Sequence, residues 1–336
     1  MPARRLSLGR VAGYALLLAV LLWAISSGVK AARTIREFPV HGRYAAPSGP
    51  FIAYSIGSLA NLSGYPLDAQ GILTFDYGGK LGRQYNPLFI ADFAMSLAPF
   101  ASDGRARQLL FANIEFLRGR ARPTAGGNLA FPYEFDFTKL GESAPWYSAM
   151  AQARIGEAMM WGYRLSGEAR WLDAAKRAVF ALEDGMPGKT MARRLEHGIW
   201  LKEFPGYRFN VLDGMLVAIV GVHQVYLGLP QSDPDRPRMW ALIEQSLEGF
   251  KRNHACFVAP TGGVYFSDNR VGPNQGYYDL IMKQLAYLAK VDPEIDAIAA
   301  RYSMAGMGLG RKLALNYWYV LTRRMSRFGL IEPCVR

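Results

Sequence analysis

Two stretches in the second half of the chain concentrate side chains that could bind and act on an acidic sugar. They are residues 189–214 and 261–284, and their candidate residues are Glu203, Tyr207, Arg208, Tyr265, Arg270, Tyr277 and Tyr278. Aromatic faces stack on pyranose rings, arginine pairs with carboxylates, and tyrosine or glutamate can move protons. This combination predicts a cleft for a sugar that carries a carboxylate.

Helices of two kinds must position these loops. Four segments are apolar nearly all round, which is typical of buried helices, and they begin near Tyr85, Trp146, Val211 and Tyr277, roughly 60 to 66 residues apart. Amphipathic segments follow, as at residues 167–183 and 238–250. Alternating buried and amphipathic helices predict an inner and an outer layer. We therefore expect a mainly α fold, an α/α barrel (toroid) of about four helical hairpins, with its site where the inner helices begin.

Composition limits the classes of binding partner that the chain is expected to have. The 336 residues carry a formal charge of +12, which favours an anionic partner, although a generally basic proteome would have the same effect. The two cysteines could form one disulfide bridge, and the four histidines do not have the spacing that is typical of metal ligands. We expect no metal and no cofactor, and an acidic polysaccharide rather than nucleic acid as partner, with a homodimer left open.

The N-terminus predicts a membrane anchor. Residues 11–29 contain no charge and follow three arginines, and this length crosses a bilayer as a helix. An uncleaved anchor is favoured over a signal peptide, with the orientation left open. We expect an anchor at residues 1–29, a stalk with short β or irregular structure at 30–80, and a catalytic α/α barrel at 81–336. The result would be a single-pass membrane protein with its catalytic domain outside the cytoplasm.

Four blocks of sequence resemble one family. WYSAMAQ at 146–152 resembles the WYSxMAQ motif of the D-glucuronyl C5-epimerases, the enzymes that modify heparan and heparosan. QYNPLFIA at 84–91, WLKEFP and VLDG within 200–214, and VYFS with YYDLIMKQL within 264–285 resemble further family blocks in the same order. The resemblance covers about residues 81–289. It implies an α/α-barrel catalytic domain, and animal members have an N-terminal membrane helix.

The resemblance also implies a reaction. Such enzymes remove the C5 proton of a uronic acid and return it to the other face, converting D-glucuronate to L-iduronate. Position by position, the catalytic residues would be Glu203, Tyr265 and Tyr277, and Tyr85 would lie in the cleft. The predicted substrate-binding residues are Tyr85, Trp146, Tyr147, Gln152, Tyr207, Arg208, Arg270 and Tyr278. Gln152 could instead satisfy a buried loop carbonyl.

The chain departs from the family pattern at several positions. Phe204 replaces the tyrosine of EYP, and Tyr278 and Ile281 replace the two histidines of YHxxH. Tyr207 could substitute for the missing tyrosine, and Arg270 lies close to an arginine position that is otherwise unmatched. The large β-domain that precedes the barrel in animal enzymes is also missing.

Three alternatives follow from these residues. A glycoside hydrolase needs two facing carboxylates, which Glu134 or Asp136 together with Glu203 or Asp213 could supply. A polysaccharide lyase shares the C5 proton abstraction and then expels the C4 substituent. A non-catalytic glycan-binding protein would retain only the cleft. The basic, aromatic residues 311–325 predict a helix that covers the barrel, with docking on a membrane or polyanion as the other option.

Overall fold

A computed structural model describes residues 8–34, 56–184, 186 and 190–335. Within these residues the chain forms ten α-helices: α1 Leu8–Thr34, α2 Pro87–Leu97, α3 Gly104–Arg120, α4 Ala149–Ser166, α5 Ala169–Asp184, α6 Leu212–Gly228, α7 Arg236–Asn253, α8 Gln275–Leu288, α9 Glu294–Tyr302 and α10 Leu309–Arg327. Short strands pair as antiparallel hairpins: β1 Phe75–Asp76 with β2 Arg83–Gln84, β3 Arg122–Pro123 with β4 Leu129–Ala130, and β5 Ala192–Arg194 with β6 Ile199–Leu201.

Helices α2 to α9 form four hairpins in two layers. Helices α2, α4 and α6 are buried along most of their length, and α4 packs against both α2 and α6, while α6 also packs against α8. Helices α3, α5, α7 and α9 bury one face only. This alternation confirms the predicted α/α-barrel architecture of four hairpins. At Gly221 a Cβ would lie 3.0 Å from backbone and side-chain atoms of Ala153, so α4 and α6 approach closely because glycine is present.

Side-chain caps fix where three inner helices begin. Asn86 accepts a hydrogen bond from the Phe89 N–H at α2, Ser148 caps α4, and Asn274 accepts one from the Tyr277 N–H at α8. Such caps satisfy N–H groups that have no partner inside the helix. The observed starts agree with those that the apolar pattern predicts.

Loop length distinguishes the two ends of the barrel. At the end where α4, α6 and α8 begin, the described parts of the preceding loops span residues 121–148, 190–211 and 254–274. The turns within the hairpins are much shorter, such as residues 101–103 and 167–168. The long loops therefore form the mouth of the barrel, where the sequence predicts the site.

A buried ion network ties α2 to α4. Arg154 lies 2.8 Å from Asp92 and 2.6 Å from Glu157, and all three side chains are almost fully buried. Burial, partly offset by the Arg154 charge, raises the pKa of Glu157 to about 7. Removing one member would leave an unpaired buried charge, which is strongly destabilising.

The two ends of the chain pack together. Within the described residues one helix, over Leu16–Thr34, is long and apolar enough to be a membrane span or a signal sequence. Its C-terminal half packs against α10. A disulfide joins Cys256 to Cys334, whose Cα atoms are 5.6 Å apart. Residues 35–55 of the predicted stalk segment 30–80 lie outside the described residues, as do residues 1–7 of the predicted anchor.

Candidate active site

Two acidic side chains meet under the mouth of the barrel. Glu203 follows β6 and Asp213 lies in the first turn of α6. Glu203 packs on Gly214, where a Cβ would lie 2.5 Å from the Glu203 Oε2 and 2.6 Å from its Cβ. The Glu203 Oε2 and Asp213 Oδ1 atoms are buried and have no hydrogen-bond partner among the described residues. Buried polar atoms are normally paired, so these two oxygens are suited to water or a substrate group.

Burial shifts the ionisation of this pair. Burial, together with the neighbouring charge of Asp213, raises the pKa of Glu203 well above its usual range. Burial also raises the pKa of Asp213 to about 7, even though backbone N–H groups of Asp213 and Gly214 oppose the shift. Two neighbouring carboxyls in a poorly solvated place cannot both ionise easily. The pair therefore holds a proton close to neutral pH.

Tyr277 stands beside this pair at the start of α8. Its side chain is 43% exposed, so it faces the solvent at the mouth. Its ring packs on Phe266 with 4.5 Å between centroids. Partial burial and the negative charge of Asp213 and Glu203 raise the pKa of Tyr277 to about 12. Its hydroxyl is thus protonated at neutral pH and electrostatically linked to both carboxyls.

Aromatic rings form the wall behind Glu203. Tyr133 stacks on Trp146 with 3.8 Å between ring centroids, and Phe204 lies 5.7 Å from Trp146 and 6.2 Å from Phe137. The Trp146 Nε1–H donates to the Phe135 carbonyl at 2.9 Å. Phe204, which stands where the family has tyrosine, is part of this packing. Trp146 is only 2% exposed, so it supports the wall from inside rather than presenting a free face to a ligand.

A second concavity lies at the mouth near α2. This cavity of about 180 Å³ is lined in part by Tyr85, Arg120 and Glu134. The Tyr85 hydroxyl donates to Asp68 at 2.8 Å, and the Arg120 guanidinium lies 5.1 Å from the Tyr85 ring centre. Tyr85 therefore lines this second concavity with its hydroxyl already paired, and substrate binding by Tyr85 stays a prediction.

Glu134 lines this second concavity, and Tyr147 lies close to Arg122 and Glu134. Glu134 forms ion pairs of 2.7 Å with Arg120 and 2.9 Å with Arg122. Tyr147 is buried beside Arg122, and burial raises its pKa above the ordinary value. Asp136 accepts a hydrogen bond from the Ala144 N–H. The carboxyls of Glu134 and Asp136 are thus engaged in structural contacts, and the carboxyl that shares its surroundings with Glu203 is Asp213.

Two predicted substrate-binding residues have structural positions instead. The Gln152 side chain accepts from the Phe131 N–H and donates to the Leu129 and Ala178 carbonyls, which is the alternative role that the sequence allows. Tyr278 is fully buried, and its hydroxyl accepts from the Met304 N–H at 2.8 Å. Neighbouring residues on a helix point about 100° apart, so Tyr277 faces the mouth while Tyr278 enters the core.

Tyr265 lies in the core against α10. It is 2% exposed, and its ring lies 5.7 Å from that of Tyr319. Burial raises its pKa, and the charge acting on it is that of Arg270. The structure brings Glu203, Asp213 and Tyr277 together without Tyr265, whose catalytic role stays a prediction.

The remaining candidates hold the C-terminal tail and the loops in place. The Tyr207 hydroxyl accepts from Asn269 at 2.8 Å. Arg208 forms an exposed 2.8 Å ion pair with Glu332. Arg270 has a left-handed backbone (φ 62°), and its carbonyl accepts from Thr322. Their contacts are structural, and carboxylate binding by either arginine stays a prediction.

Sequence reasoning missed Tyr133, which the charge of Glu203 influences and which carries a strongly raised pKa mainly through burial. The aromatic run FPYEF at 131–135 was the available signal. Asp213 was predicted only as a possible carboxylate of a hydrolase, although it occupies the position of the asparagine in the family's VLNG motif. Among the described residues, no three His, Cys, Asp or Glu side chains are grouped so as to hold a metal ion.

Several solved structures share similarity with this chain. An unsaturated glucuronyl hydrolase from Bacillus sp. GL1 is 13% identical over 67% of this chain and 64% of its own length, with a TM-score of 0.43. A cellobiose 2-epimerase from Spirochaeta thermophila is 13% identical over 80% of this chain and 78% of its own, with a TM-score of 0.41. A reducing-end xylose-releasing exo-oligoxylanase is 12% identical over 93% of both chains, with a TM-score of 0.43.

The family comparison is more specific. No curated protein sequence matches this chain. The family model described as D-glucuronyl C5-epimerase C-terminus matches residues 126–304, more than half of the chain, and includes Glu203, Asp213 and Tyr277. The chain therefore belongs to the D-glucuronyl C5-epimerase C-terminal family.

Proposed function

We propose that this protein is a uronyl C5-epimerase that acts on an acidic polysaccharide. The observation that carries the proposal is the Glu203–Asp213 pair near Tyr277, in which the Glu203 Oε2 and Asp213 Oδ1 atoms are buried without a hydrogen-bond partner among the described residues. Burial raises the pKa of both carboxyls, so the pair holds a proton near neutral pH. Membership of an epimerase family supports the reaction class. No cofactor is needed for this chemistry.

The reaction requires an unusually effective base. The C5 proton of a uronate is weakly acidic because the adjacent carboxylate is already negative. A carboxylate whose pKa is raised by burial is a stronger base than an ordinary one, and a site of low polarity strengthens its interactions. The two carboxyls share one proton near neutral pH, so the base is the member that has passed this proton to its neighbour. We assign the base to Glu203 on the family resemblance, which places the shared proton on Asp213 when Glu203 takes the C5 proton.

Tyr277 would complete the inversion. A hydroxyl with a pKa of about 12 is protonated at neutral pH and can give its proton to the opposite face of C5. The neutral member of the carboxyl pair, Asp213 in this scheme, can donate a hydrogen bond to the substrate carboxylate as negative charge develops there. The proton gained by Glu203 then returns through solvent to the phenolate of Tyr277, which restores the starting protonation of the site.

The setting supports an extracytoplasmic enzyme attached to a membrane. Disulfides such as Cys256–Cys334 persist mainly in oxidising compartments. Asn316 and Arg324 of α10 donate hydrogen bonds to α1, and Ser27 and Ala31 of α1 are buried in the contact. Specific packing of this kind favours a retained anchor over a cleaved signal peptide. The charge of +12 suits an acidic polymer, and a homodimer stays a prediction.

One experiment separates the candidate reactions. The full chain, purified in a neutral detergent, is incubated in heavy water with uronate polymers, and C5 deuterium, chain length and unsaturated ends are measured. Deuterium at unchanged chain length supports the epimerase. Shorter chains refute it in favour of a hydrolase, or of a lyase where unsaturated ends accompany them. Binding to a polymer without deuterium incorporation identifies a glycan-binding protein instead.

A further inference from the structure

A cleft lined by cations lies where α10 meets α1. It has a volume of about 240 Å³, and its basic lining residues are Lys30, Arg323, Arg324 and Arg327, which together we name the basic cleft. The amide of Asn316 and the hydroxyl of Thr34 also line it. No acidic side chain is part of the lining in the described residues, so the cleft carries four positive charges and no negative one.

Most of these cations have no partner of their own. Arg324 donates to the Trp23 carbonyl and to the hydroxyls of Ser26 and Ser27, at 2.6 to 3.3 Å. Across the part of the chain that the structure describes, the side chains of Lys30, Arg323 and Arg327 make neither an ion pair nor a hydrogen bond. Like charges repel one another, so their grouping favours an anion among them.

The position of the cleft along α1 places it at the level of lipid headgroups. Lys30 and Thr34, which line the cleft, follow directly on the uncharged residues 11–29, and Arg324 reaches back from the cleft to the last two turns of that stretch. Charged groups are costly in the hydrocarbon core, whereas tryptophan and long basic side chains are favoured at its boundary. At 1.5 Å per residue, Thr34 lies about 8 Å beyond the end of the uncharged stretch at residue 29, which is about the thickness of one headgroup layer.

Exposed apolar side chains next to the basic cleft also indicate that it lies at the depth of the lipid headgroups. Phe328 and Leu330, immediately after α10, are 72% and 62% exposed. They follow directly on Arg323, Arg324 and Arg327, so apolar and basic groups lie side by side. This combination is typical of a surface that sits in the interface of an anionic membrane.

We propose that the basic cleft binds the phosphate group of a membrane lipid. The inference rests on α1 being a retained membrane span. Two lipids could supply the phosphate: an anionic phospholipid, or a polyprenyl diphosphate that carries the glycan substrate. The position of the cleft supports the polyprenyl diphosphate as the source, because Asn274 lines the cleft and also caps α8 three residues before Tyr277. A glycan attached to such a lipid would be held next to the candidate active site.

The test measures lipid binding rather than catalysis. The full chain in neutral detergent is titrated with fluorescent phosphatidylglycerol, and the double variant Arg323→Gln/Arg327→Gln is compared with wild type. Each basic residue near an anionic surface contributes about 1 kcal/mol, so the loss of two should weaken binding roughly 25-fold. Both side chains are exposed, so the variant should retain its thermal unfolding temperature.

The matched control is Arg193→Gln/Arg194→Gln, which removes two exposed charges from β5. Unchanged affinity in this control together with the loss at α10 supports the proposal. Equal losses in both variants, equal binding of phosphatidylcholine, or displacement of the lipid by inorganic phosphate at matching concentration would each overturn it. Competition between phosphatidylglycerol and a polyprenyl diphosphate identifies the preferred source. A chain that binds lipid without C5 exchange refutes only the proposed function.

Discussion

The substitution Asp213→Asn tests whether the carboxyl pair is as poorly solvated as its surroundings indicate. Asparagine has the same shape, is the residue of the family's VLNG motif, and removes one charge from the pair. Burial raises the pKa of Asp213 from 3.8 to about 7. A carboxyl whose pKa is raised by folding destabilises the native state once it must ionise, because the unfolded chain releases its proton more easily.

The direction and size of the effect follow from this raised pKa. Between about pH 4 and pH 7 the folded protein keeps a proton that the unfolded chain has lost, so stability falls as pH rises and then levels off. A pKa raised from 3.8 to about 7, at about 1.36 kcal/mol per pH unit, gives a cost of about 4 kcal/mol above pH 7. Asp213→Asn removes this cost. We therefore expect the variant to be as stable as wild type at pH 4 and more stable at pH 8, with an unfolding temperature roughly 8 °C higher.

Thermal unfolding followed by tryptophan fluorescence, in the same detergent from pH 4 to pH 8, measures the effect. Asp173→Asn is the matched control, since the Asp173 side chain is 60% exposed and should show no gain that depends on pH. A gain of the same size at pH 4 and pH 8 would refute the raised pKa of Asp213. So would the absence of any gain at pH 8.

Three further outcomes are expected. Gly214→Ala should displace Glu203, destabilise the protein by about 1–3 kcal/mol and lower C5 exchange, and exchange at the wild-type rate would contradict the observed packing. Tyr277→Phe should lower exchange by about 10² or more with an unchanged unfolding temperature. The control Tyr163→Phe should change neither quantity. A Tyr277→Phe variant with wild-type exchange would show that Tyr277 is not the acid. Reduction of the disulfide, which joins residues 78 apart, should cost about 4 kcal/mol in unfolding experiments, and an unaltered unfolding temperature would contradict this.

The helices could be predicted from the sequence because their signals are local. The apolar periodicity of α5 and the caps Asn86 and Asn274 lie within a few residues of the ends they specify. The two layers of hairpins can then be predicted, because the helices that are apolar nearly all round must be the buried ones. The resemblance of four motif blocks to one family came from the same local information. The family comparison confirms the family over residues 126–304, which contain three of these blocks.

The site could be predicted only in part, because it depends on contacts between distant elements. The loop after β6 brings Glu203 onto α6 because Gly214 leaves room for its side chain, and no local pattern reports that contact. The choice between Tyr277 and Tyr278 depends on the rotation of α8 about its axis. The role of Gln152 depends on which carbonyls α5 and the loop before α4 present to it.

Deuterium incorporation at C5 by Glu203→Gln tests most directly whether Glu203 is the base of a C5-epimerase. Wild type and the variant, each as the full chain, are incubated with a uronate polymer in heavy water, and Glu196→Gln, whose side chain is 83% exposed, is the control. We predict C5 deuterium at unchanged chain length for wild type and Glu196→Gln. For Glu203→Gln we predict a loss of exchange by about 10² or more without any fall in the unfolding temperature. Because the pKa of Glu203 is raised by burial, its replacement by a neutral side chain should not destabilise the fold at neutral pH. Exchange by Glu203→Gln at the wild-type rate would contradict the account.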